Sequence, residues 1–310
     1  MINMLQRRIY VFPHCTVDDL RGFTEIFFLV PYLNVDLYKN LLSIIDWHND
    51  GLFSSLYFNE PPHERVSLEE CEYALVPFKY QPGDSRIIEA CHKAAAHDKK
   101  VIAFYCDDND KPFELPSNLI LFRTSVNKST MQPQERVFPA MVADYFPGNV
   151  ELPNAPKNFK IGYCGREDGF RKSILDTIQS LNLETDIQYT GAFWGTRADL
   201  VDKLNSKRKF HRSLLENQFA LCARGEGNFS YRFYEALSFG CIPVLIDTDT
   251  VLPFEKIIPW DDYIIRIKKE DLEKLPNLIH SSWINPQKNR LLWQKYFSPS
   301  GFNKKFLEEI

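Results

Sequence analysis

Along this chain, short apolar runs alternate with segments whose apolar residues recur every three or four positions, as strands alternating with amphipathic helices do. Ile9–Phe12 predicts a first strand, ended by Pro13, and Tyr73–Val76 a second, stopped by Pro77. Ser85 stands where an N-cap belongs, ahead of a helix whose Ile87, Ile88, Cys91 and Ala95 share a face, and Val101–Tyr105 follows as a buried strand. From Asn109 to Pro156 the chain turns loop-like, with Pro112, Pro116, Pro133, Pro139, Pro147 and Pro153 around strand-like pieces such as Leu119–Arg123. The stretch Pro147–Pro156 reads as a linker.

After it the alternation restarts. Phe159–Cys164 predicts a strand, Gly165 a turn, and Phe170–Leu181 a helix with Ile174, Leu175, Ile178 and Leu181 on one side. Strands at Ile187–Thr190 and Phe219–Ala223, with a helix near Arg212–Gln218 before the second, carry the pattern on. A turn at Arg224–Asn228 leads to a helix over Tyr231–Phe239, closed by Gly240 where a left-handed residue is needed, and to a strand at Ile242–Ile246. Two amphipathic pieces, Asn289–Tyr296 and Phe302–Ile310, end the chain. Two rounds of strand-helix alternation imply an α/β protein with parallel sheets, divided as residues 1–150, 151–285 and a helical tail 286–310.

Composition narrows the chemistry. At 310 residues and 44% apolar content the chain can build two cores, and its net charge of −4 argues against bulk attraction to nucleic acid or an anionic membrane. Any phosphate-bearing ligand must therefore be held locally. The seven cysteines form no CxxC pair and no Cys/His array with zinc spacing; Cys91, Cys106, Cys164, Cys222 and Cys241 lie in or beside apolar runs and read as reduced, buried thiols of a cytoplasmic protein. No apolar run approaches the ~18 residues of a membrane span, and Ile26–Val30 is strand-sized. The expectation is a chain with no integral membrane segment.

The segment from Leu215 to Ile246 carries the chemistry: strand, glycine-containing loop, helix, strand. Gly225 and Gly227 precede a helix that begins at Ser230 and Tyr231, where free backbone N–H groups and the helix dipole receive an anion. Arg224 and Arg232 bracket that place, and two guanidiniums beside an amide nest suit a diphosphate. Glu235, one turn on from Arg232, is positioned to accept the two vicinal hydroxyls of a ribose. The other reading of the same spacing is a surface ion pair between Arg232 and Glu235.

The run from Phe219 to Trp260, with Cys-Ala-Arg-Gly, Ser-Tyr-Arg-Phe-Tyr-Glu-Ala-Leu, Gly-Cys-Ile-Pro-Val-Leu and Leu252-Pro253-Phe254, resembles the C-terminal half of the exostosin-like glycosyltransferases of GT47 type. Gly162–Arg171 resembles the family's glycine loop and following arginine, and Tyr73–Phe78 carries a weaker likeness in the N-terminal half. The resemblance implies a GT-B fold: two facing Rossmann-like domains, an acceptor-side N-terminal one and a donor-binding C-terminal one, with tail helices crossing back to the first. It implies inverting, metal-independent transfer from a UDP-sugar to a glycan or glycoconjugate hydroxyl, with no cofactor. The donor contacts it points to are Gly165, Arg171, Arg224, Gly225, Ser230, Tyr231, Arg232, Glu235 and Asp247. Eukaryotic members carry an N-terminal anchor and a disulfide-bearing ectodomain; this sequence shows neither, which points to a compact relative working in a cytosol.

An inverting transfer needs a base at the acceptor hydroxyl, and strand ends of the first domain offer His14 and Asp84, with His48 and Glu60 behind them. Both leading candidates have structural alternatives, Asp84 as an N-cap or turn former and His14 as a structural histidine. Asp108 and Asp110, a DxD after Val101–Tyr105, admit a metal-dependent GT-A-type reading; the alternative is an acidic solvated turn. Asp247-Thr248-Asp249 has the same look and reads better as a loop lining the donor cleft. Tyr189, Phe193 and Trp194 are candidate stacking partners for a nucleobase. A non-catalytic nucleotide-sugar or glycan-binding module is the rival class, whereas a P-loop hydrolase is disfavoured because Gly225-Glu226-Gly227 lacks the lysine.

Overall fold

The computed structural model describes residues 7–13, 62–142, 144, 157–167, 169–191 and 199–310. His14, His48, Glu60, Phe193, Trp194 and the linker reading at 147–156 lie outside them. The chain divides into two compact units: residues 1–144 with Val251–Phe254 and Tyr296–Ile310, and residues 145–250 with Glu255–Lys295.

The first unit is built on a six-stranded sheet, β1 (Arg8–Val11), β2 (Glu64–Arg65), β3 (Tyr73–Lys79), β4 (Lys100–Tyr105), β5 (Leu119–Arg123) and β6 (Glu135–Val137). The spatial order is β2-β1-β3-β4-β5-β6 and every pairing is parallel. Pro77 does not end β3. The strand runs on to Lys79 through a register shift between Leu75 and Lys79, an irregularity at which a residue without an N–H is tolerated. Helix α1 (Ser85–Ala95) is capped by Asp84 rather than Ser85: the Asp84 carboxylate accepts from the Arg86 N–H. Its buried face is Ile87, Ala90, Cys91 and Ala94, a regular i, i+3, i+4, i+7 stripe, which leaves Ile88 44% exposed and Ala95 outside.

The loop-like stretch after β4 supplies two more strands. β6 was not foreseen, because its Glu135 looks like a solvated residue, whereas it is fully buried and ion-paired with the equally buried Arg123 of β5. At the end of the chain, α7 (Pro299–Lys305, numbered after the helices of the second unit) and the 3-10 turn Phe306–Glu309 complete this unit's core. Phe302 and Phe306 meet Phe122 at 6.3 and 6.0 Å between ring centres; Phe138 lies 5.2 Å from Phe302 and Phe104 6.0 Å from Phe306.

The second unit has five parallel strands, β7 (Asn158–Gly165), β8 (Thr185–Tyr189), β9 (Asn217–Cys222), β10 (Ile242–Asp247) and β11 (Ile265–Lys268), in the order β11-β10-β9-β7-β8. Helices α2 (Gly169–Ser180), α3 (Leu200–Glu216), α4 (Tyr231–Ser238) and α5 (Leu275–His280) connect or follow the strands, and α6 (Pro286–Tyr296) comes after them. Ile174, Leu175 and Ile178 of α2 pack with Ile161, Leu221 and Val244 of the strands in one buried cluster. Gly240, with φ of 61°, takes the left-handed position after α4. The α/β reading with parallel sheets holds in both units.

The strand order reverses between β7 and β9: from β7 the chain moves outward to β8 and then returns to β9 on the other side. Such a reversal opens a crevice at the carboxyl ends of the two strands, because their following connections leave in opposite directions. The first unit repeats this at β1 and β3.

Candidate functional site

The segments after β7 and β9 bound the crevice of the second unit. Arg232, in the first turn of α4, lies with its guanidinium carbon 4.5 Å from the Tyr163 ring centre and 5.1 Å from that of Phe210. One of its terminal nitrogens donates to the Cys164 carbonyl at the end of β7. The next residue has to be small: a Cβ on Gly165 would come 2.9 Å from Arg232 Nη2 and 3.1 Å from the Tyr163 hydroxyl. Tyr163 in turn donates its hydroxyl to the Arg166 carbonyl. The guanidinium is thus fixed in a plane by two rings and a carbonyl, and among the described residues its remaining N–H groups find no partner.

Glu235 lies one turn further along α4. Among the described residues its carboxylate accepts no hydrogen bond and makes no ion pair, so the Arg232–Glu235 surface pair does not form. The residue keeps some exposure, yet protein crowds the carboxyl group, and this loss of solvent pushes its pKa up to about 7 in spite of the opposing charge of Arg232. A desolvated carboxylate without a partner, beside a guanidinium with donors to spare, is an incomplete set of interactions that a ligand can complete.

The loop between β9 and α4 is drawn in by arginines. Arg171 of α2 donates its Nε to the Arg224 carbonyl at 3.1 Å, and a Cβ on Gly225 would meet Arg171 Nη2 at 3.0 Å, so glycine permits the close approach. Arg224 donates to the Glu226 carbonyl at 2.5 Å. Ser230 occupies the N-cap position of α4 with extended backbone and makes no side-chain cap bond, while its carbonyl accepts from the Phe233 N–H. Tyr231 is 45% exposed at the helix start, its ring 5.5 Å from that of Phe229. Asp247, at the carboxyl end of β10, accepts from the Thr250 N–H and shapes the following turn.

Asn228, which the sequence reading did not single out, bolts these loops together. Buried, it donates to the Asp249 carbonyl at 3.3 Å and accepts from the Thr248 hydroxyl at 2.6 Å. An asparagine between a glycine loop and a helix is a faint signal, since the type is common in any turn. Tyr163 and Phe210 were also missed as Arg232 supports. The stacking candidate Tyr189 has its hydroxyl 3.2 Å from Gln179 Oε1, at the edge strand β8.

In the first unit, Asp84 stands in the turn after β3 with its carboxylate engaged twice, by the α1 cap and by the Arg86 guanidinium at 2.7 Å. Both hold its pKa below the usual carboxylate range, the Arg86 side chain most. Asp107 and Asn109 each cap the backbone N–H two residues on, so Asp108 and Asp110 sit in a run of short side-chain-closed turns. Among the described residues no group of three or more His, Cys, Asp or Glu side chains is arranged to hold a metal ion. The six described cysteines are buried. No helix among the described residues is long and apolar enough to cross a membrane.

Comparison with known proteins falls on the unit that holds this crevice: residues 159–282 match the Exostosin GT47 domain. A probable glucuronosyltransferase of Oryza sativa subsp. japonica is 39% identical over 85 residues, 27% of this chain and 20% of the relative. Exostosin-1 of Drosophila melanogaster is 36% identical over 102 residues, 31% of this chain and 13% of the relative. A probable beta-1,4-xylosyltransferase of Arabidopsis thaliana is 43% identical over 63 residues, 20% of this chain and 15% of the relative. The chain therefore spans a small part, a fifth or less, of each of these proteins. Gly165, Arg171, Arg224, Arg232, Glu235 and Asp247 all lie inside the matched GT47 stretch, whereas Asp84 lies outside it.

Proposed function

We propose that this chain is a glycosyltransferase that takes a sugar from a UDP-sugar and passes it, with inversion and without a metal, to a hydroxyl of a glycan or glycoconjugate. The observation that carries the reading is the pairing at the second unit's crevice: a guanidinium fixed by two rings, with donors unused, beside a desolvated carboxylate without a partner. The guanidinium and the helix start of α4, which carries no side-chain cap, suit a diphosphate, and Glu235 suits the vicinal hydroxyls of a ribose. The names of the relatives as glucuronosyl- and xylosyltransferases support the reaction class.

In the reaction, the acceptor oxygen attacks the anomeric carbon from the face opposite the diphosphate. Its proton passes to a base while the carbon–oxygen bond to the diphosphate breaks, and that electron pair leaves with UDP. Arg232 and Arg224 meet the growing negative charge, the task a metal ion performs in a DxD enzyme. Asp84 and His14 remain the proposed bases. Asp84 has to be released from Arg86 to serve, because a carboxylate held below its usual pKa is a weak acceptor of protons.

The test is UDP titration by calorimetry together with turnover of a panel of UDP-sugars, with and without EDTA. The expected outcome is UDP binding and chelation-resistant turnover. Loss of activity in EDTA with recovery in manganese points instead to Asp108 and Asp110, and binding without turnover on any donor and acceptor points to a non-catalytic module.

A further inference from the structure

We propose that Tyr163 is a positioning residue for donor binding: its ring sets the plane of the Arg232 guanidinium, and its hydroxyl ties that plane to the loop after β7. The inference rests on the donor-binding reading above and adds a residue that never touches the ligand. Tyr163 is buried, at 2% exposure, near the carboxyl end of β7, two residues before Gly165. Its ring faces Arg232 at 4.5 Å, Phe210 closes the other approach at 5.1 Å, and the Cys164 carbonyl takes one of the guanidinium N–H groups.

The physical case is one of orientation. An arginine side chain has several rotatable bonds, and a diphosphate is read well only if the guanidinium fork is already aimed. A ring below the cation favours one plane through its quadrupole, and the carbonyl fixes rotation within that plane. With one edge held, the other edge is presented outward. The Tyr163 hydroxyl binds the Arg166 carbonyl, so the same side chain also sets the loop that runs past Arg232. Gly165 completes the cradle, since any Cβ there would press on both the guanidinium and the tyrosine hydroxyl.

The experiment is a double-mutant cycle on the full chain, read by titration with UDP and, separately, with inorganic pyrophosphate. Tyr163→Leu removes the ring and is expected to weaken both ligands about tenfold; Tyr163→Phe, which keeps it, restores most of the affinity. In an Arg232→Ala background Tyr163→Leu should have no further effect on either ligand, a result that a general loss of packing does not produce. An equal loss in that background overturns the inference, as does wild-type affinity in Tyr163→Leu when Arg232→Ala is impaired. If Arg232→Ala itself binds UDP as wild type does, the donor-site reading falls and the inference with it. Gly165→Ala serves should Tyr163→Leu not fold: its methyl group displaces the guanidinium, and it too should weaken UDP in the wild-type background only.

Discussion

Two arginines of this chain have nearly the same surroundings and opposite situations. Arg123, at the end of β5, is 1% exposed, stacks at 4.3 Å on Phe113 and donates to the carbonyls of Asn109 and Lys111. Arg232 stacks on Tyr163 and Phe210 and donates to the Cys164 carbonyl. The difference is the carboxylate. Glu135 closes on Arg123 directly and takes a second bond from the Gln132 N–H, whereas Glu235 makes no bond to Arg232 and bears the loss of solvent alone. An arginine on an aromatic ring is therefore not itself the mark of a site; what separates the two is whether the charges are matched within the chain.

The largest effect is expected at the closed pair. Glu135→Ala or Arg123→Ala leaves a buried charge without its partner and should cost about 3–5 kcal/mol in denaturant unfolding, while replacing both by apolar residues of similar volume recovers most of it. Next comes Arg232→Ala, which should cost UDP about 1.5–3 kcal/mol of binding, roughly ten- to a hundredfold, with a small change in Tm. If instead it unfolds the protein as Arg123→Ala does, the contrast between the two arginines collapses. Glu235→Ala should likewise weaken UDP, and Glu235→Gln less, because an amide keeps one good acceptor for the ribose hydroxyls.

A smaller effect separates the carboxylates by pH. The folded pKa of Glu235, about 7, stands above its unfolded value, so the folded state holds this proton more tightly. The stability it contributes is full below about pH 4.3 and is lost as pH rises through 7. The thiol of Cys222 on β9, raised by burial, stays protonated over this range. Tm measured from pH 5 to 8 should fall more steeply in the wild type than in Glu235→Gln; parallel slopes would mean that Glu235 is well solvated. The smallest effect is Asp84→Ala, a lost helix cap worth about 1 kcal/mol, against no change for Ser85→Ala.

Much of the second unit was readable because its apolar strands are bounded by glycines with defined tasks. Gly240 closes α4, and the apolar runs at β9 and β10 admit one reading. What escaped was written in polar residues that are buried. Glu135 in β6 hides a strand, and α3, seventeen residues long with few of them buried, shows a helical stripe only near its end at Phe210 and Leu214. The helix that carries Arg232 and Glu235 was legible from spacing. The side chains that aim Arg232 were not, since Tyr163 and Phe210 come from strand and helix distant in sequence and look like ordinary core residues.

The first unit is stitched from three pieces of chain, and the last of them supplies Phe302 and Phe306 to the rings of Phe104, Phe122 and Phe138. During synthesis these two phenylalanines leave the ribosome after every residue of the second unit has been made. Domains as a rule mature in the order in which they are translated. Here the first unit has to wait, its aromatic core short of two rings until every residue of the second has been made. The second unit, whose residues end at Lys295, has its whole sequence in hand first.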